Sequence, residues 1–139
     1  MEVIEERSGS LTNFEVLQLV NSAYSNPHKH LYAKNNSTLL FAVRKYLRER
    51  PAAAQSEGNI KEFMRAVKPY GLFPSEVLQM IDNRPADAVA VSLIIEENES
   101  RYTSEQEAQI LDIVKEKLPE HEPVDVFIDI NEHRKNLKC

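Results

Sequence analysis

The residues best suited to chemistry in this 139-residue chain are two histidines, one basic stretch and one acidic run. His28 and His30 stand two positions apart in a polar segment. Metal sites take three or four ligands, and no cysteine or acidic residue nearby completes such a set, so a solvated loop is the expected state. His121 lies between Glu120 and Glu122 and reads as a solvated turn. Arg44, Lys45, Arg48 and Arg50 form a basic stretch. It is either a solvated helix face or a patch for phosphates, and Arg44, Lys45 and Arg48 are the candidate nucleic-acid contacts. No aromatic interleaving supports base stacking there. Glu96, Glu97 and Glu99 would need other polar groups around them for paired-carboxylate catalysis; a helix end is the simpler reading. No nucleophile elbow, zinc motif or base–nucleophile set occurs. The three glycines, Gly9, Gly58 and Gly71, are too scattered for a phosphate cradle. No catalytic residue, metal site or cofactor is expected.

Bulk properties point the same way. The chain is 42% hydrophobic and 28% charged, a globular composition of single-domain size. Net charge is −5, but residues 1–70 carry ten Lys/Arg against seven Asp/Glu, and residues 71–139 carry seven against fifteen. A dominant basic footprint is missing, so nucleic-acid contact is expected to be weak or indirect at most. Cys139 is the single cysteine, which excludes an internal disulfide and fits a reducing compartment. No charged-then-apolar leader opens the sequence, so secretion is not expected. No apolar run approaches the roughly 20 residues of a membrane span.

The elements that would carry any site are mostly helical. Met1–Glu6 reads as a short extended segment, and Thr12-Asn13-Phe14-Glu15 is a capping box opening a helix over 13–24. Its apolar residues cover an arc of roughly 220°, wider than one core easily covers, which implies a second, intermolecular surface. Phe14, Leu17 and Tyr24 lie on one side and Val16, Val20 and Ala23 on another, with Leu17 the expected partner-facing position. Turn signals fill 25–37, and Ser37 is the expected cap of a helix over 38–50. Residues 51–58 read as a linker. A helix from Asn59 presents Ile60, Phe63, Met64 and Val67 inward, and Pro69 and Gly71 stop it. A short helix over 74–82 follows, with Val77, Leu78 and Ile81 inward.

Asn83-Arg84-Pro85 reads as a rigid corner, with Asn83 capping a helix that begins near Pro85. The apolar run Ala88–Ile95 is expected to be a central buried helix. A second capping box, Thr103–Gln106, opens the last helix, whose stripe is Ala108, Leu111, Ile113, Val114 and Leu118. Val124, Val126, Ile128 and Ile130 then alternate with Asp125, Phe127 and Asp129 as a strand.

Several runs together resemble a known family. They are Leu11-Thr12-Asn13-Phe14-Glu15-Val16, Phe63 and Val67 before Leu72, and the stretch from Glu76 to Pro85. Ile95-Glu96-Glu97, Arg101 and the Thr103–Leu118 helix complete the set. The chain resembles the smaller stalk subunit of RNA polymerases, the family of the archaeal F subunit and the fourth subunit of polymerase II, and within it the polymerase III form. The resemblance covers residues 1–24 and 60–119; residues 25–58 and 120–139 lie outside it. It implies a mainly α, HRDC-like helical bundle, which the periodicity flanks with short N-terminal and C-terminal strands. It implies pairing with a larger, OB-fold-bearing stalk subunit, attachment to the polymerase core, contacts with initiation factors, and a nuclear role at transfer RNA and 5S RNA genes.

On this basis residues 1–10 are a partner-pairing strand, 11–119 the helical domain with its linker, and 120–139 a tail with strand 124–130. The expected partner contacts are Val3, Ile4, Phe14, Val16, Leu17, Val20, Tyr24, Val126 and Ile128. A single-stranded nucleic-acid-binding helical module is the competing function.

Overall fold

A computed structural model describes residues 9–25 and 34–121, with side chains described from Ser37 onward in the second stretch. Among these residues the protein is a helical bundle of seven α-helices and two short 3-10 turns. The helices are α1 (Asn13–Ser25), α2 (Lys34–Arg48), α3 (Glu57–Val67), α4 (Pro74–Asn83), α5 (Ala88–Ile94), α6 (Asn98–Arg101) and α7 (Ser104–Lys117). The terminal strands expected over 1–6 and 124–130 lie outside the described residues, as does the loop with His28 and His30.

Local signals set most helix starts. Thr12 Oγ1 accepts from the Glu15 amide, and Glu15 returns a carboxylate oxygen to the Thr12 amide at 2.7 Å. Thr103 and Gln106 form the same reciprocal cap on α7. For α3 the box is Ser56–Asn59, so the helix starts at Glu57, ahead of the expected Asn59. α2 starts at Lys34, ahead of the expected cap, and Ser37 lies within it. Asn and Ser cost well under about 1 kcal/mol each inside a helix, too little to delay its start.

Two cores result. The larger joins α3, α4, α5 and α7 through Phe63, Val67, Met80, Val91, Ile110 and Val114. The smaller joins α1, α2 and the Pro51–Ala53 turn through Leu17, Leu47 and Ala52, and Phe14 packs against both. The 51–58 stretch is therefore packed rather than a free linker: Ala52 is buried, and the Gln55 amide donates to the Ile81 carbonyl at 2.6 Å. The α1 backbone is also tied to α4, since the Asn13 amide donates to Asp82 at 2.8 Å.

Three further expectations about these helices need correction. Asn83 does not cap the next helix. It is the last residue of α4 and donates to the Gln79 carbonyl, while Arg84 turns the chain in the left-handed region at φ 43°. Asp87 is the cap of α5, accepting from the Ala90 amide at 2.7 Å. We expect Asp87→Ala to cost about 1 kcal/mol of stability and Asn83→Ala less than about 0.5 kcal/mol. Urea unfolding of the two variants checks this, and equal costs would contradict it. Next, α5 is not buried on all sides: Val91 is enclosed, but Val89 and Leu93 project into solvent. Among the described residues its main packing is against α4 and α7, and one face serves both. Finally, Met64 is exposed on α3 and Ala108 on α7, where Ile110 takes the inward place.

Candidate partner-binding surface

The α1–α2 hairpin carries the features that suit a partner. α1 turns Leu17 and Val20 inward, each 7% exposed, and Leu17 packs with Leu47 of α2 and Ala52. Leu17 therefore serves this chain's own core, contrary to the expectation that it faces a partner. Reversing which side faces out follows from α2, whose Leu47 claims the Leu17 side. Val16 and Tyr24 are half-buried, Val16 against the smaller core. Leu19, at 60% exposed, is the apolar residue of α1 left to solvent. It shares an i, i+3, i+7 stripe with Val16 and Ala23, away from Leu17.

Leu19 was not singled out from the sequence, although its place beside Glu15 and Ser22, at the edge of the polar face, was a usable signal. Leu11 before α1, and Leu39 and Tyr46 on α2, are also exposed. Such a concentration of large apolar side chains on one hairpin is what an interaction surface presents. The start of α1 also borders an open groove of about 980 Å³ between α3 and α4, lined by Phe14, Ile60, Met64, Val67, Leu72 and Leu78 among others. Val3, Ile4, Val126 and Ile128 lie outside the described residues.

The basic stretch divides. Arg44 donates from Nε to Asn21 at 2.9 Å and sits 4.5 Å over the Tyr24 ring, so it fastens α2 to α1. Arg50 stacks 4.6 Å over Tyr46. Lys45 is exposed and Arg48 is half-buried.

The corner at 83–85 is built as a joint. Pro85 is buried, and the Arg84 guanidinium donates to the Leu118 carbonyl at 3.0 Å and lies 3.8 Å from Glu120. The strongest electrostatic feature was missed by sequence reasoning. Glu76 on α4 is buried, and its two oxygens meet the two terminal nitrogens of Arg101 on α6 at 2.5 and 3.2 Å. The same carboxylate accepts from the Phe73 and Glu96 amides at 2.8 and 3.0 Å. Arg101 lies 4.1 Å over the Phe73 ring. Burial pushes the Glu76 carboxyl up, but the Arg101 hydrogen bond and the two amides outweigh it and hold it below the ordinary carboxylate range. Asp82 moves the other way, raised by burial despite the Asn13 amide, with Glu15 adding to the rise.

Every charge in the Glu76 cluster is matched within the fold, which marks it as structural. Among the described residues no group of three or more His, Cys, Asp and Glu is placed to hold a metal, and no helix is long and apolar enough to cross a membrane. The family model described as RNA polymerase Rpb4 matches residues 10–118. That span takes in both cores, the hairpin and the groove. The chain belongs to the RNA polymerase Rpb4 family: it is a non-catalytic subunit of the polymerase stalk, pairing with a second stalk subunit on the RNA polymerase core.

Proposed function

We propose that this chain is the smaller stalk subunit of RNA polymerase III. It pairs with the larger, OB-fold-bearing stalk subunit and supports initiation at transfer RNA and 5S RNA genes in the nucleus by contacting promoter factors. The observation that carries the pairing is the exposed apolar hairpin, Leu11, Leu19, Leu39 and Tyr46, inside the family match. The polymerase III assignment rests on the Asn13-Phe14-Glu15-Val16 helix start, which resembles that form; the Glu76–Pro85 run resembles the family as a whole. In this reading Val3 and Ile4 lie on a strand of residues 1–10 added to the partner's sheet, and Phe14, Val16, Val20 and Tyr24 stiffen the helix behind the contact face. Residues 11–119 form the body, and Val126 and Ile128 lie on a tail strand. Asn83, Arg84 and Pro85 act as a joint rather than a ligand site.

A nucleic-acid-binding role would draw on Arg44, Lys45 and Arg48, and the engagement of Arg44 with Asn21 and Tyr24 weighs against it. Affinity purification of the tagged chain from nuclear extract, read by mass spectrometry, tests the assignment. The expected result is the larger stalk subunit together with subunits found only in polymerase III. Recovery of polymerase II alone would overturn it.

A further inference from the structure

Val89 and Leu93 are one helical turn apart on α5 and stand 68% and 82% exposed, so they form one apolar face that nothing in the described fold covers. Acidic residues stand at and beyond both ends of this helix, and together they form an acidic collar. Asp87 caps α5, and Glu96, Glu97 and Glu99 follow it, all exposed. Over residues 86–107 there are six acidic groups, Asp87, Glu96, Glu97, Glu99, Glu105 and Glu107, against one cation, Arg101, which is bound to Glu76. The face thus suits a short cationic segment carrying a single apolar side chain.

The sequence contains such a segment: Arg134-Lys135-Asn136-Leu137-Lys138. Its chain leaves the described fold in the right place. Leu118 and Glu120 are held by Arg84, four residues before α5 begins at Ala88. From His121 to Leu137 an extended chain spans about 50 Å, whereas α5 is about 10 Å long, so reach imposes no strain. Glu122, Asp125, Asp129 and Glu132 precede the segment and would be repelled by the collar, which leaves 134–138 as the contacting part.

We infer that residues 134–138 of this chain dock on the α5 face, with Leu137 over Val89 and Leu93 and the three cations against the acidic collar. The contact occupies a surface separate from the α1–α2 hairpin and does not depend on which polymerase the chain serves. It also leaves residues 124–130 free to pair elsewhere.

Cys139 is the single cysteine of the sequence, so a nitroxide placed on it reports what the segment touches. In the full-length protein at low salt, the amide and methyl signals of Val89 and Leu93 should broaden, while those of Leu19 and Met64 stay sharp. Broadening should fall by more than half in Leu93→Asp, whose exposure makes it harmless to the core, and in the double variant Arg134→Glu, Lys135→Glu. It should also fall in 1 M salt, where the screening length is about 3 Å. Absence of selective broadening on α5, or broadening unchanged by charge reversal, overturns the inference. So does a sharp α5 face in the full chain that nonetheless responds to a separate basic peptide, since the surface would then belong to another protein.

Discussion

Replacing Leu19 by aspartate is expected to leave the protein folded and to weaken its heterodimer with the second stalk subunit by about 100-fold. Leu19 is 60% exposed in the isolated chain, so an aspartate there is hydrated and costs the monomer little. In the complex the same carboxylate would be enclosed by an apolar partner surface with no cation beside it among the described residues of α1. Desolvating an unpaired charge costs several kcal/mol, and about 3 kcal/mol corresponds to about two orders of magnitude in Kd. Leu17→Asp is the control. Leu17 packs with Leu47 and Ala52, so its loss should unfold the hairpin and abolish pairing indirectly. Circular dichroism and calorimetry of both variants, with titration against the purified partner, separate the two effects. A folded Leu19→Asp chain that binds within threefold of the parent would remove α1 from the interface.

That exchange of Leu17 for Leu19 illustrates what the sequence makes legible. Capping boxes at Thr12–Glu15 and Thr103–Gln106 were readable because donor and acceptor lie three residues apart. The α3 stripe was readable because Ile60, Phe63 and Val67 repeat with the helix period and all face one core. Periodicity cannot say which side of a wide apolar helix a neighbour will claim; that depended on Leu47, thirty positions away from Leu17.

The same limit hid the solvent face of α5. An unbroken run such as Ala88–Ile95 has no polar side to reveal orientation, and only packing against α4 and α7 chooses Val91 and leaves Val89 and Leu93 outside. At the corner, Pro85 suggested the first turn of a helix. The left-handed Arg84, held by the Leu118 carbonyl, delays that helix to Asp87. The Glu76–Arg101 pair was invisible for a further reason. A glutamate beside Val77 looks like part of a polar face until the residue 25 positions on is brought against it.

Removing that carboxylate should be the most damaging change to a polar side chain in the larger core. In Glu76→Ala the Phe73 and Glu96 amides lose their acceptor, and Arg101 keeps the Glu96 carbonyl, the Tyr102 hydroxyl and its stacking on the Phe73 and Tyr102 rings. Arg101 stands at the rim, with its side chain 20% exposed, and can hydrate when its partner is gone, so the change should cost about 2–3 kcal/mol, mainly from the two amides left without an acceptor, and less than breaking a fully enclosed pair. Thermal unfolding should then shift down by on the order of 5–15 °C. Glu76→Gln keeps an acceptor oxygen and should cost less.

The pH dependence follows from the direction of the shift. The folded carboxyl is held below its ordinary range, so its contribution is complete above the unfolded pKa and is lost as pH falls through the lower, folded value. Asp82 has the opposite sign: burial raises it, so it gives no stability that acid would remove. Glu76→Gln should therefore flatten the acid limb of the stability curve measured between pH 7 and pH 3, whereas Asp82→Asn should not. Because Arg101 closes α6 and the Glu96 amide anchors the end of α5, the loss of Glu76 should also raise amide exchange across α5 before the α1–α2 hairpin responds. A Glu76→Ala protein within about 1 kcal/mol of the parent, or an acid limb unchanged in Glu76→Gln, would show that α4 and α6 are held by packing alone.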